Sequence, residues 1–308
     1  MQQAVVIGYG SMGRRHVNAL ESLGLDVSVL SRRDIEDKKT YSDFVELYNN
    51  IANAKDTYIV VANETACHVK SLRSIIAAGH VGPILIEKPI FSKSEVIDLR
   101  SNYRIFVGYN LRFFKLVTIL REKLDGSNIY SASFSVGQFL PTWRPGRDYS
   151  KVYSASVDQG GGVLRDLSHE IDLLLWLLGP IKRVVALTGC SGVLLGDSED
   201  YAHVLVEGFH FRAATLYLDY LDKNNRRTLT FQSDRGTLTL DLIAGTLTEN
   251  GSLVCSMSAD WDDICQQQHR AALSGETDII CGFKEGCEVV RVIEAIEESS
   301  ETGLWQNL

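Results

Sequence analysis

His169 is the side chain best suited to move a proton near neutral pH, because an imidazole titrates there without large cost. Asp166 lies three residues before it and Asp172 three residues after. On one continuous helix, that spacing brings each carboxylate near the face that carries His169, so either could orient the ring and stabilise its charged form. Asp166, His169 and Asp172 are also metal-ligand types at helical spacing. No other cluster completes a coordination sphere, and no metal is expected. Lys88, in Glu87-Lys88-Pro89, offers an ammonium that would stabilise developing charge on an oxygen. Gly8-Tyr9-Gly10-Ser11-Met12-Gly13 follows directly on the apolar run Ala4-Val5-Val6-Ile7, the arrangement of a strand turning into a helix around a pyrophosphate. Ser11, Met12 and Gly13 would then present free amides at a helix N-terminus, where an anion is favoured.

Parallel βαβ units up to about residue 107 would hold these groups. The apolar runs predict strands at 3–8, 26–30, 57–62, 83–87 and 104–108, with a helix from 11 to 23 and another between Asn63 and Gly79. Asn63 or Thr65 would cap the latter. Ligands bind outside the carboxyl ends of such strands, so Asn63, Glu87 and Lys88 fall on the rim that holds the glycine turn. The second strand ends in Ser31-Arg32-Arg33 without a carboxylate. An acidic residue there would bind the ribose hydroxyls of NAD, whereas Ser31, Arg32 and Arg33 suit a 2′-phosphate. NADP is therefore preferred over NAD in this reading.

Beyond about residue 125 the pattern changes to longer strands at 128–137, 181–188, 201–209, 212–221, 226–233 and 236–242. Gly208-Phe209-His210 and Asp234-Arg235-Gly236 read as hairpin turns. One mostly antiparallel open sheet results, with a single helix over 162–178 and another over 278–299. The expected fold is α/β: a dinucleotide-binding Rossmann domain at 1–120, then an α+β domain at 121–308 for substrate and oligomerisation. A homodimer or homotetramer would cover the open sheet face.

Composition narrows the function. Hydrophobic residues make up 45% and charged residues 23%, a globular balance, and the formal net charge of -8 gives no basis for binding nucleic acid or an anionic membrane. The first strand begins within a few residues, leaving no room for a secretion signal, and no apolar run is long enough to span a bilayer. The six cysteines are scattered, with no CxxC pair, and read as reduced thiols. A cytoplasmic enzyme of small molecules is expected.

Five motifs in order, the glycine turn, Asn63 to His68, Glu87-Lys88-Pro89, Gly108-Tyr109-Asn110-Leu111-Arg112-Phe113 and Gly160-Gly161-Gly162 to Asp172, resemble the glucose–fructose oxidoreductase/inositol dehydrogenase/rhizopine-catabolism (Gfo/Idh/MocA) family. The resemblance covers nearly the whole chain. It implies NAD(P)-dependent hydride transfer at a hydroxyl or carbonyl of a sugar, cyclic polyol or nucleotide sugar, with Lys88 contacting both the substrate hydroxyl and the nicotinamide ribose. The family commonly places an aspartate four residues before the histidine, whereas Asp166 is three before. That departure leaves open which of Asp166 and Asp172 supports His169. The loop Trp143-Arg144-Pro145-Gly146-Arg147-Asp148-Tyr149, followed by Tyr153, is similar to a subgroup tied to surface polysaccharides and nucleotide sugars. Trp143 and Tyr153 offer flat faces for a sugar ring; Arg144 and Arg147 offer charge for a phosphate or carboxylate. Asn110 and Arg112 could bind substrate, and Arg112 could equally bridge the two domains. Alternative functions are an NAD-dependent glycoside hydrolase acting by transient oxidation, and a dinucleotide-binding sensor without turnover.

Overall fold

The computed structural model describes residues 2–33, 35–50, 57–99, 103–143, 146 and 148–308. The chain divides into two compact units, one of Met1–Phe113 with Asp260–Cys287, the other of Phe114–Ala259 with Glu288–Leu308.

The first unit begins with β1 (Gln3–Ile7), α1 (Ser11–Ser22), β2 (Asp26–Leu30), β3 (Lys39–Tyr41) and α2 (Phe44–Asn50). It continues through β4 (Tyr58–Val61), α3 (His68–Ala77), β5 (Ile84–Ile86) and β6 (Ile105–Val107). The strands of β4, β5 and β6 are buried at every position, as expected for a parallel sheet covered on both faces. All five strands expected from the apolar runs are present within a residue or so, and β3 adds a short edge strand.

In the second unit come α4 (Lys115–Leu124), β7 (Ile129–Gly137), α5 (Val163–Asp166), α6 (His169–Leu178) and β8 (Ile181–Gly189). They are followed by β9 (Tyr201–Gly208), β10 (Phe211–Asp219), β11 (Arg226–Ser233), β12 (Gly236–Asp241), β13 (Thr246–Glu249) and β14 (Ser252–Ser256). The chain then returns to the first unit with α7 (Trp261–Ser274) and β15 (Cys281–Gly282). The helix α8 (Phe283–Thr302) carries it on to β16 (Gln306–Asn307).

The first sheet runs β15-β6-β5-β4-β1-β2-β3, parallel except where β15 joins antiparallel to β6. The second has nine strands in the order β14-β13-β12-β11-β7-β10-β9-β8-β16. It is antiparallel throughout except for β7 beside β10. Phe134, Leu216, Val204, Phe231 and Leu229 fill its covered face, beneath α4, α5 and α6. The opposite face carries Leu187 and Leu205, which are 61% and 41% exposed.

Two helix expectations need correction. The single helix over 162–178 is two helices, because the chain leaves helical geometry at Leu167 (φ -98°, ψ 25°). Leu167 nevertheless remains buried, so the apolar stripe runs across the break. The final helix covers 283–302 rather than 278–299, and α7 lies before it with no counterpart in the periodicity reading. No helix among the described residues is long and apolar enough to cross a membrane.

Candidate active site

Packing dictates the glycine turn. Gly8 sits at φ +95°, and a Cβ there would lie 2.7 Å from the Asn63 backbone. A Cβ on Gly13 would come within 2.1 Å of the Gly8 carbonyl oxygen, so α1 can close on β1 only without a side chain at that position. Gly10 faces open space within 4 Å and caps α1 with no side-chain hydrogen bond; no acidic residue occupies the first turn. The amides of Ser11, Met12 and Gly13 thus begin a helix whose dipole favours an anion. Asn63, beside Gly8, keeps its Oδ1 buried without a hydrogen-bond partner among the described residues, while its Nδ2 donates to Ser71 Oγ at 2.9 Å. A dinucleotide fits this arrangement: the amino end of α1 would hold its pyrophosphate, and Asn63 Oδ1 has an acceptor to offer.

Asn63 and Thr65 do not cap α3. A 3-10 turn over Thr65–Cys67 precedes that helix, and neither N-cap position makes a side-chain bond. Ser31 Oγ accepts the Arg33 amide at 3.1 Å, bending the chain after β2 and leaving Arg32 and Arg33 exposed.

At the end of β5, Lys88 is half-buried and joined to Pro89 by a cis peptide bond. His68 braces this turn: its Nδ1 lies 3.2 and 3.1 Å from the carbonyl oxygens of Pro89 and Ile90, and its Nε2 lies 3.1 Å from that of Asn63. Burial pushes the His68 pKa down, which suits a structural role. Glu87, expected on the cofactor rim, instead turns its carboxylate inward and accepts from His16 Nε2 at 2.8 Å. Sequence reasoning missed His16, His269 and Tyr58, which meet Glu87 in the interior of this unit.

Arg112 is 1% exposed, and its guanidinium donates to Glu285 Oε1 at 3.0 Å and to the Ile279 carbonyl at 3.4 Å. Both partners belong to the first unit, so these two bonds tie a single unit together. Asn110 opens the 3-10 turn that contains Arg112.

In the second unit, His169 is the first residue of α6, with Ser168 at the N-cap. The break at Leu167 separates it from Asp166, which ends α5, so these two do not share a helix face. Asp166 Oδ2 accepts a 2.7 Å hydrogen bond from Tyr220, whose ring meets Trp143 edge-on at 5.2 Å. Asp172 lies on the same helix as His169, one turn on, and is fully buried. Tyr153 is 36% exposed, and Tyr149 Oη accepts from the Leu195 amide at 3.1 Å. Arg144 and Arg147 lie outside the described residues. Glu199, which no motif marked, lies against Gly162 and accepts the Leu164 amide at 3.2 Å. Burial pushes its pKa up to about 7, against the opposing pull of those amides and of Arg165. Among the described residues, the one group of three converging ligand types is His16, Cys265 and His269, not Asp166, His169 and Asp172.

Comparison with known proteins matches residues 3–108 to the oxidoreductase family with an NAD-binding Rossmann fold, and residues 128–239 to the GFO/IDH/MocA C-terminal domain. A protein of Streptococcus pneumoniae described as an uncharacterized oxidoreductase is 25% identical over 237 residues, 70% of this chain. The match spans 62% of that relative's length. The fold is shared with GenD2 from gentamicin A biosynthesis, solved with NAD (TM-score 0.80, 20% identity, 99% of this chain and 96% of that one). It is shared too with the WlbA dehydrogenase from Bordetella pertussis, solved with NADH and UDP-GlcNAcA (TM-score 0.77, 18% identity, 100% and 98%).

Proposed function

Since the chain belongs to the Gfo/Idh/MocA oxidoreductase family, with an NAD-binding Rossmann fold in its first unit, we propose that it is an NAD(P)-dependent dehydrogenase of a sugar, cyclic polyol or nucleotide sugar. The observation that carries this reading is the conjunction of an uncapped, glycine-lined phosphate cradle at α1 with the Glu87-Lys88-Pro89 end of β5, a strand of the same parallel sheet separated from β1 by β4 alone. The sugar-like substrate is supported by the fold's occurrence in a dehydrogenase solved with a UDP-sugar acid.

The amides of Ser11, Met12 and Gly13 would hold the pyrophosphate of a bound dinucleotide, and Asn63 would contact the cofactor near its nicotinamide end. When bound, the nicotinamide supplies a hydride acceptor or donor. Lys88 polarises the reacting oxygen and stabilises negative charge developing on it. His169 takes the hydroxyl proton in oxidation and returns it in reduction, with Asp172 as the carboxylate on its own helix. Trp143, Tyr153, Asn110 and the loop bearing Arg144 and Arg147 are the candidates for substrate recognition. The exposed leucines of the nine-stranded sheet are consistent with a homodimer or homotetramer formed through that face.

Cofactor preference goes to NADP, on the strength of Ser31, Arg32 and Arg33. Turnover of NAD and NADP with a panel of cyclic polyols, sugars and nucleotide sugars tests both parts. Hydride transfer to one substrate class is expected, with kcat/KM higher for NADP. Arg32→Ala is expected to lower the NADP value about tenfold, the size of one exposed phosphate contact, and to leave NAD within about twofold. Preference for NAD, or indifference to Arg32→Ala, rejects the cofactor assignment. Glycoside cleavage with no net reduction would replace the dehydrogenase reading with transient oxidation.

A further inference from the structure

Four buried polar side chains from four separate segments meet in a line inside the first unit. Tyr58 on β4 places its hydroxyl 2.9 Å from Nδ1 of His269 on α7. His269 Nε2 lies 3.0 Å from Nδ1 of His16 on α1, and His16 Nε2 lies 2.8 Å from Oε1 of Glu87. The other carboxylate oxygen of Glu87 accepts the Lys88 amide at 3.3 Å. None of Tyr58, His16 and His269 is more than 1% exposed. Gly108 closes the far side, since a Cβ there would come within 2.8 Å of Glu87 Oε1.

Every contact in the line is satisfied in two ways that differ by one proton. With His16 neutral, Tyr58 donates to His269 Nδ1, His269 donates through Nε2 to His16, and His16 donates to Glu87. With His16 charged, both of its N–H groups donate, one to Glu87 and one to His269, and His269 donates to the Tyr58 oxygen. The charged form is favoured. Burial alone would lower the His16 pKa, but hydrogen bonds to Cys265 and Glu87, with the charge of Glu87, raise it to about 9. Burial and the His16 charge push His269 well down, keeping it neutral. Burial would raise Glu87, yet the hydrogen bond and charge of His16, together with Lys88 and His68, hold it below the usual carboxylate range.

Cys265 Sγ lies 3.9 Å from His16 Nδ1, so His16, Cys265 and His269 form a set of metal-ligand types. A hydrogen bond explains the imidazole pair better. Two nitrogens on one tetrahedral zinc, each bound at about 2.0–2.1 Å, would stand about 3.3 Å apart; these stand 3.0 Å apart.

We propose that Tyr58, His269 and His16 are positioning residues for Lys88: the line fixes Glu87 as an oriented carboxylate, and Glu87 in turn fixes the turn and the electrostatic field of the lysine next to it. The chain of contacts also joins α1, whose amino end is the phosphate cradle, to that lysine. This inference rests on the catalytic reading of Lys88 for its purpose, but not for its test. The readout is the protonation of Lys88 itself, followed by competitive labelling with acetic anhydride across pH and peptide mass spectrometry, with the exposed lysines of the same chain as internal references.

Glu87→Gln removes the carboxylate charge, so labelling of Lys88 is expected to begin about one pH unit lower, a tenfold faster reaction at fixed pH. His269→Phe keeps a ring in place but takes away the partner that accepts the Nδ1 proton of charged His16. The Glu87 charge is then less compensated, and labelling is expected to begin at higher pH. Tyr58→Phe is expected to move it the same way by a smaller amount. Opposite signs distinguish this network from general loosening, which would expose Lys88 and speed its labelling in every variant. Shifts of the same sign in Glu87→Gln and His269→Phe, unchanged profiles in folded variants, or one equivalent of metal in protein purified without chelator would each overturn the proposal. Full activity in Lys88→Met would reject the catalytic reading instead, and would leave the labelling result standing.

Discussion

Lys88→Met is expected to lower kcat by about 10²–10³ while leaving the dissociation constant for NAD(P)H within about threefold, the pattern of a donor lost from a developing oxyanion. Methionine keeps an unbranched stem but carries no charge, so β5 and the turn into Pro89 should persist. Lys88→Arg should not restore activity, because a planar guanidinium places its donors differently from a compact ammonium. Stopped-flow reduction of the cofactor, with fluorescence titration of NAD(P)H in parallel, separates the two quantities. An unchanged hydride-transfer rate in Lys88→Met would remove Lys88 from the reaction.

The place of Lys88 at a strand end was legible because that strand is a local feature. Ile84-Leu85-Ile86 is buried at every residue, and the polar motif begins where that strand ends. The glycine turn was legible from its spacing after a buried strand, although only Gly13 answers to a contact within its own strand–turn–helix unit; Gly8 answers to the Asn63 backbone after β4. The relation of His169 to Asp166 was not. The apolar stripe continues through Leu167 whether or not the backbone does, so a periodic pattern reads one helix where the chain makes two. The helix α7 escaped notice because its sequence is mostly polar, although Asp260 caps it through the amides of Asp262 and Asp263, a signal visible in principle. His16 and His269 stand 253 residues apart and meet only because the chain comes back to the first unit after completing the second. No local spacing encodes that return. Glu199 likewise lies 37 positions beyond Gly162, and its raised pKa follows from burial against a glycine that leaves room for it.

Arg227→Ala is expected to be the most destabilising single change in the second unit. The residue after His169 on α6, Glu170, is completely buried, and Arg227 on β11 grips it with two hydrogen bonds, Nε to Oε1 at 2.7 Å and Nη2 to Oε2 at 3.1 Å. A fork of this kind repays the desolvation of both charges only while both are present. Truncating the arginine leaves a carboxylate in the interior with no cation on it, and losses of about 3–5 kcal/mol are typical of such a cut. Glu170→Met combined with Arg227→Met removes both charges and refills the volume, so the double variant should recover most of that loss. Urea denaturation followed by tryptophan fluorescence checks the order of the three proteins. A loss below about 1 kcal/mol for Arg227→Ala would place this pair with ordinary surface bridges. The same anchor bears on the reaction, because Glu170 and His169 share the first turn of α6. If His169 depends on that turn for its direction, the double variant regains stability without regaining all of its turnover, and the shortfall measures how much of the His169 geometry the ion pair supplies.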